Sequence, residues 1–178
     1  MNSMSKGFHD EKECGCRREE GTKVLLKCKV GNPAIVTVTG AAIPAAAVTT
    51  QLAKVVLNVE HFHDPCIKFE FATNLVATVG TAIVDVSFQL YKLCKGETIP
   101  EAIGNPWVYP VPGVLTDIIS FIVCDCGCDN DCDCYNDCCS YYVAAITSTT
   151  DIVTADSTTL VFNNSTLSAL VIENKKSC

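Results

Sequence analysis

Residues 124–139 read CDCGCDNDCDCYNDCC, with seven cysteines in sixteen positions, five aspartates and no Lys or Arg. Three chemistries use cysteine at this density: a metal–thiolate cluster, a set of disulfides and a redox centre. Neighbouring Cys-x-Cys thiolates suit a soft ion, and its ligands would be Cys124, Cys126, Cys128, Cys132 and Cys134. A structural zinc site usually draws on two separated Cys-x-x-Cys or Cys/His knuckles. No Cys-x-x-Cys occurs in the chain. His61 and His63 stand two apart near Cys66, which reads as a polar hairpin turn with exposed imidazoles. Asp129, Asp131 and Asp133 alternate as in a calcium loop, but Cys134 and Ser140 occupy the places of its Gly and Glu. Redox catalysis asks for a Cys-x-x-Cys at a helix start, or a low-pKa thiol among basic groups. These surroundings are acidic and β-forming. The three histidines fall in no Cys/His nucleophile signature. No cofactor is implied, and no enzyme is expected.

Disulfides remain, with metal binding at residues 124–139 as the alternative. Cys66, Cys94, Cys124, Cys126, Cys128, Cys132, Cys134, Cys138 and Cys139 are the intrachain candidates, and the sequence leaves their pairing open. The remaining four suit bonds between subunits: Cys14 and Cys16 in ECGCRRE, Cys28 late in a predicted strand, and Cys178 at the end. Thirteen cysteines cannot all pair within one chain. The first twenty residues are charged, with no apolar core of a secretory signal, so none is expected. Synthesis in a reducing cytosol would then sit beside the cysteine load of a protein working in an oxidising place.

The rest of the chain must position these thiols. Hydrophobic residues make up 48% and charged residues 19%, enough for a core without crosslinks. Net charge is -7, and five of the acidic residues lie in the cysteine run. With no basic stripe, nucleic acid is not an expected partner. Residues 30–53 lack charge, but Pro33, Pro44 and an Ile-Val-Thr-Val-Thr run argue for strands over a membrane helix. Residues 1–21 read as a flexible polar arm and 22–178 as one domain containing the 124–139 loop. Strands are predicted at 22–30, 35–39, 52–62, 66–78, 81–94, 116–126 and 140–149, with two short ones around Asn163-Asn164. GNPWVYPVPG is too proline-rich for a regular element. The fold class is all-β: one antiparallel β-sandwich or jelly roll of about eight strands, with under about a tenth helix.

An N-terminal cysteine arm, a β-sandwich and no secretion signal are together similar to bacterial endospore appendage subunits, a family of jelly-roll fibre proteins. VLLKC, FHDPCIKFEF, FQLYKLCKG, NDCCSYYV and NSTLSALVIE also resemble a cysteine-rich clostridial family of unassigned function, across about residues 22 to 173. The appendage resemblance implies Cys14 and Cys16 as connector cysteines bonding a neighbouring subunit. Cys28, in the first core strand, is the acceptor it suggests, and Cys178, as the last residue, is a second candidate from its position alone. Cys-Gly-Cys in place of adjacent cysteines, a longer arm and the 124–139 run depart from that family. An arm that meets a different surface on the next subunit makes the expected homopolymer head-to-tail; the resemblance further implies a spore-coat anchor protein as a second partner, and an extracellular or spore-surface location after synthesis in the mother-cell cytosol.

Overall fold

The computed structural model describes residues 23–39, 47–62, 65–78, 84–126, 138–149 and 157–173. Nine strands run through them: β1 Val24–Val30, β2 Ala34–Thr39, β3 Val48–Asn58, β4 Pro65–Thr78, β5 Val84–Cys94, β6 Glu101–Val111, β7 Leu115–Cys126, β8 Cys138–Thr149 and β9 Ser157–Glu173. One sheet has the order β1-β9-β4-β7, with β2 also on β9, and the other has β3-β8-β5-β6. Every ladder is antiparallel. β1 and β2 occupy one position in succession, so outer strands pair with outer and inner with inner: β1/β2 with β9, β3 with β8, β4 with β7, β5 with β6. That nesting is the jelly-roll arrangement of two packed sheets. The all-β sandwich read from the sequence is the fold observed, and the described residues contain no helix.

Alternation supplies the core. Ile67, Phe69, Phe71 and Leu75 on β4 point inward, as do Val84, Val86, Phe88 and Leu90 on β5. Phe88 lies at the centre, with ring centroids 6.0 Å from Phe71, 6.1 Å from Phe162 and 6.3 Å from Phe121. Truncating such a ring costs about 3–5 kcal/mol, a large share of a domain's net stability.

The strand expected at 52–62 runs instead over Val48–Asn58, ahead of a turn at Glu60 and His61, and two further segments differ from the sequence expectation. All but Pro112 and Gly113 of the proline-rich stretch lies within β6, an edge strand bonded only to β5 among the described strands. Pro106 and Pro110 are tolerated because an edge strand need donate on one side only. Its ladder breaks opposite Gln89, whose buried Nε2 donates to the carbonyls of Leu90 (2.9 Å), Ile103 (3.0 Å) and Gly104 (3.3 Å). A side-chain amide thus replaces ladder bonds that the backbone forgoes. The tail is one 17-residue strand, not two short ones. Asn163-Asn164 is a bulge within it: Thr73 stands between the Ala72–Thr166 and Asn74–Asn163 pairs. Asn164 takes φ 54°, a left-handed conformation that Asn tolerates. Thr73 Oγ1 and Ser165 Oγ share a buried 2.8 Å hydrogen bond there.

The same bulge faces the break between β1 and β2. Gly31 donates its N–H to the Ser165 carbonyl at 2.7 Å. A Cβ on Gly31 would fall 1.8 Å from the Leu52 carbonyl oxygen of β3. Backbone therefore meets backbone across the open side of the sandwich. Gly31→Ala is expected to destabilise the fold by roughly 1–3 kcal/mol, because one of two packed strands must move. Urea denaturation of the variant, with unchanged m-value, measures it.

Candidate functional site: the disulfide-bracketed cysteine segment

β7 delivers the chain into the cysteine run at Cys126, and β8 takes it out at Cys138 and Cys139. Cys126 is the register partner of Cys66 on β4, and the two are bonded, with Cα atoms 4.2 Å apart. Cys139 is the register partner of Cys94 on β5, and these too are bonded, with Cα atoms 4.0 Å apart. Both spacings match the narrow, non-hydrogen-bonded pairs of an antiparallel ladder, where side chains approach closely. Each sheet therefore carries one crosslink at the same end of the sandwich. Instead of bonding within the run, its two ends bond outward to β4 and β5.

Cys124 and Cys138, both candidates for intrachain bonds, are unbonded in the structure. The register explains why. Lys68 stands opposite Cys124 and Asn58 opposite Cys138, so neither thiol faces another across its ladder among the described residues. Cys124 is exposed and Cys138 partly buried. Cys28 is also unbonded and exposed, on β1 opposite Ser168. Cys14, Cys16, Cys128, Cys132, Cys134 and Cys178 lie outside the described residues, as does His63. Of the alternative metal set, Cys126 has its sulfur in a disulfide and no thiolate to offer. No three His, Cys, Asp or Glu side chains among the described residues are grouped as metal ligands.

An ionic tie joins the sheets beside these bonds, and nothing in the cysteine spacing foretold it. Asp125, between Cys124 and Cys126, turns inward from β7. It accepts a hydrogen bond from Tyr141 Oη at 3.3 Å and lies 3.7 Å from Lys92 Nζ. Both partners belong to the other sheet. Tyr141 is buried and packs on Phe69, with centroids 4.6 Å apart. The inward parity of Asp125 on an alternating strand was the available signal. Behind Cys94, Glu97 closes a turn: its carboxylate accepts from the Cys94 N–H at 2.8 Å, and Lys95 N–H reaches the Cys138 carbonyl at 3.1 Å. On the outer face, Lys68 is held above the ordinary lysine range, chiefly by its hydrogen bond to Glu70 and to a lesser degree by Cys124.

The arrangement defines a crosslinked jelly-roll domain. The chain belongs to the family described as a domain of unknown function, DUF4489, which matches residues 22–172. No curated protein matches it. Among solved structures it is similar to infectious bursal disease virus particles. The Gx strain structure shares 11% identity, covers 96% of this chain and 44% of that chain, and gives a TM-score of 0.31. The VP2 subviral particle of the same virus also shares 11% identity, covers 96% of this chain and 45% of that chain, and gives 0.29. The chain thus spans less than half the length of those proteins. The described residues contain no helix long and apolar enough to cross a membrane.

Two expectations follow from the site. Cys94 and Cys139 are 5% and 4% exposed, whereas Cys66 is half-buried and Cys126 exposed. Exchange requires access to sulfur, so graded reductant should open Cys66–Cys126 first, as mass mapping of alkylated thiols would show. Each bond closes a loop with a sequence separation of 60 or 45, so losing either should cost about 4 kcal/mol in the chain-entropy account. Separately, the Tyr141 phenol is held well above its ordinary range, first by burial, then by the charge and hydrogen bond of Asp125. In the unfolded chain it ionises near pH ~10. Its contribution is therefore complete below that pH and lost as pH rises past it. Denaturant melts from about pH 8 to about pH 11 should show that fall, and Tyr141→Phe should flatten it.

Proposed function

We propose that the chain is a non-enzymatic structural subunit of a self-assembling, disulfide-crosslinked fibre at an extracellular or spore surface, similar to endospore appendages. The observation that carries this is the sorting of the described cysteines. Those facing a partner across a ladder are bonded within the chain, while Cys28 and Cys124 remain as exposed thiols. Two intrachain disulfides fit a protein that works where thiols are oxidised. Exposed thiols in such a place bond to other molecules.

The family match begins at residue 22, which leaves residues 1–21, with Cys14 and Cys16, outside it. In the proposed assembly this arm is a tether to the next subunit, with Cys28 or Cys178 as its acceptor. Contact of an arm with a different surface on the neighbour is heterologous, so the polymer is head-to-tail and open-ended. β1 and β2 each bond only to β9 among the described strands, leaving a strand edge for a neighbour to extend. A spore-coat anchor protein would hold the base of the fibre.

Boiling in detergent separates the two states of such a polymer. Oxidised fibres are expected to survive it and to fall to monomers only with reductant. Removing residues 1–20 should leave a folded domain and abolish the reductant-sensitive polymers. Boil-resistant, reductant-sensitive fibres from the truncated chain would overturn the tether.

A further inference from the structure

On the outer face of the β1-β9-β4-β7 sheet, the strand β4 carries short, uncharged side chains between Glu70 and Thr78: Ala72, Asn74 and Val76. Thr166 and Asn163 of β9 flank Ala72 and Asn74 on one side, and Ser120 and Ile118 of β7 on the other. Ile118 and Ile122 rise beside them, 71% and 55% exposed. Short side chains along the middle and longer ones on the flank leave two hollows, consecutive along β4. One, of about 610 Å³, has Ala72, Ser120, Ile122 and Thr166 in its lining. The next, of about 650 Å³, has Asn74, Asn163, Asn164, Thr116 and Ile118. Both volumes suit a small ligand.

Three amides converge on the second hollow, and the fold makes no use of them. Asn74 and Asn163 are register partners. The bulge in β9 brings Asn164 to the same hollow, so two consecutive residues share a face where alternation allows one. Among the described residues, none of these three side-chain amides has a hydrogen-bond partner, nor do the hydroxyls of Thr116 and Ser120. Asparagine is depleted in strands because it packs poorly on a pleated surface. Here it is placed at the middle of two long ones.

We propose that this strip binds a neutral oligosaccharide laid along β4. The lining selects that chemistry. Its charges are already spent: Lys68 and Glu70 bond to each other at 2.7 Å, and the Asp117 carboxylate accepts from Tyr109 Oη and the Ile118 N–H. A charged ligand would lose water there without gaining an ionic partner. A peptide strand gains its affinity from unpaired backbone groups at a sheet edge, whereas β4 lies between β9 and β7 and offers only side chains. A sugar ring matches what remains, with hydroxyls at its rim and C–H groups across its faces. Each asparagine amide sets a donor beside an acceptor, which pairs with two adjacent hydroxyls. Ala72, Val76, Ile118 and Ile122 meet the C–H faces. The strip is open, so a dissociation constant on the order of 1 mM is expected. This site goes beyond the proposed fibre and does not rest on it, although repetition along a polymer would raise the joint affinity of weak sites.

The test uses the ¹⁵N-labelled full chain with Cys14→Ser and Cys16→Ser, so that the arm cannot crosslink. Cellotetraose and chitotetraose are each titrated to about 10 mM, roughly tenfold above the expected constant. The side-chain amide signals of Asn74, Asn163 and Asn164 should shift with at least one of them, while that of Asn105, exposed on β6, stays in place. Asn74→Ala should weaken binding about tenfold, and Ala72→Lys, which fills the strip, should abolish it. Both side chains face outward, so the circular dichroism spectrum should not change in either variant. No shift with either sugar, shifts as large at Asn105, or undiminished binding by Ala72→Lys overturns the proposal. The same shifts produced by raising protein concentration without sugar would make a second copy the occupant, and overturn it too.

Discussion

The pairing of β9 with three other strands is the constraint on which the fold depends. β4 bonds one side of it from end to end, while β1 and then β2 share the other side. Seventeen residues is far beyond the usual strand of about 5–6. A strand that long twists, and two straight neighbours could not follow it on both sides. The bulge at Asn163–Ser165 relieves the mismatch: it bends β9, gives Thr73 a buried hydroxyl partner and supplies the carbonyl that Gly31 needs where β1 ends. The absent side chain at Gly31 then lets that end approach β3. One irregularity in the longest strand thus sets where both sheets meet.

The opposite side of the sandwich closes by side chains. Trp107 on β6 stacks on Phe121 of β7, with centroids 4.2 Å apart and planes 12° apart, and Tyr109 donates a hydrogen bond to Asp117. At the end where the cysteine run leaves, closure is covalent within each sheet and ionic between them. Disulfides bind β4 to β7 and β5 to β8, and Asp125 spans to Tyr141 and Lys92. A carboxylate that must face inward between two outward cysteines is held by exactly the groups that those crosslinked strands bring to it.

Much of this was written in local pattern. Period-two alternation in IKFEFATNL and VDVSFQLY placed Phe69, Phe71, Val86 and Phe88 inside, because each residue's face depends only on its neighbours in sequence. Context decided the rest. GNPWVYPVPG looks unfit for a strand until its place at an edge is known, since proline's missing donor matters only where a ladder needs it. Asn163-Asn164 carries turn residues, but a turn and a bulge use the same left-handed conformation, and only β4 running past tells them apart. Cysteine pairing needed register: Cys66 meets Cys126 and Cys94 meets Cys139 across ladders of long sequence separation. The same register placed Lys68 opposite Cys124, a fact that no spacing within residues 124–139 contains.

The position of the Cys66–Cys126 bond has a mechanical consequence. Tension applied between the two ends of the chain follows the shortest covalent path, which crosses from residue 66 to residue 126 through sulfur. Residues 67–125, with β5, β6 and nearly all of β4 and β7 among them, drop out of that path and cannot be drawn straight. The load passes instead along residues 126–139, the most cysteine-rich stretch of the chain, and enters β8 beside its own crosslink to β5. A stretched molecule would lengthen only by the strands outside the bridge, and would recoil onto a template that never came apart.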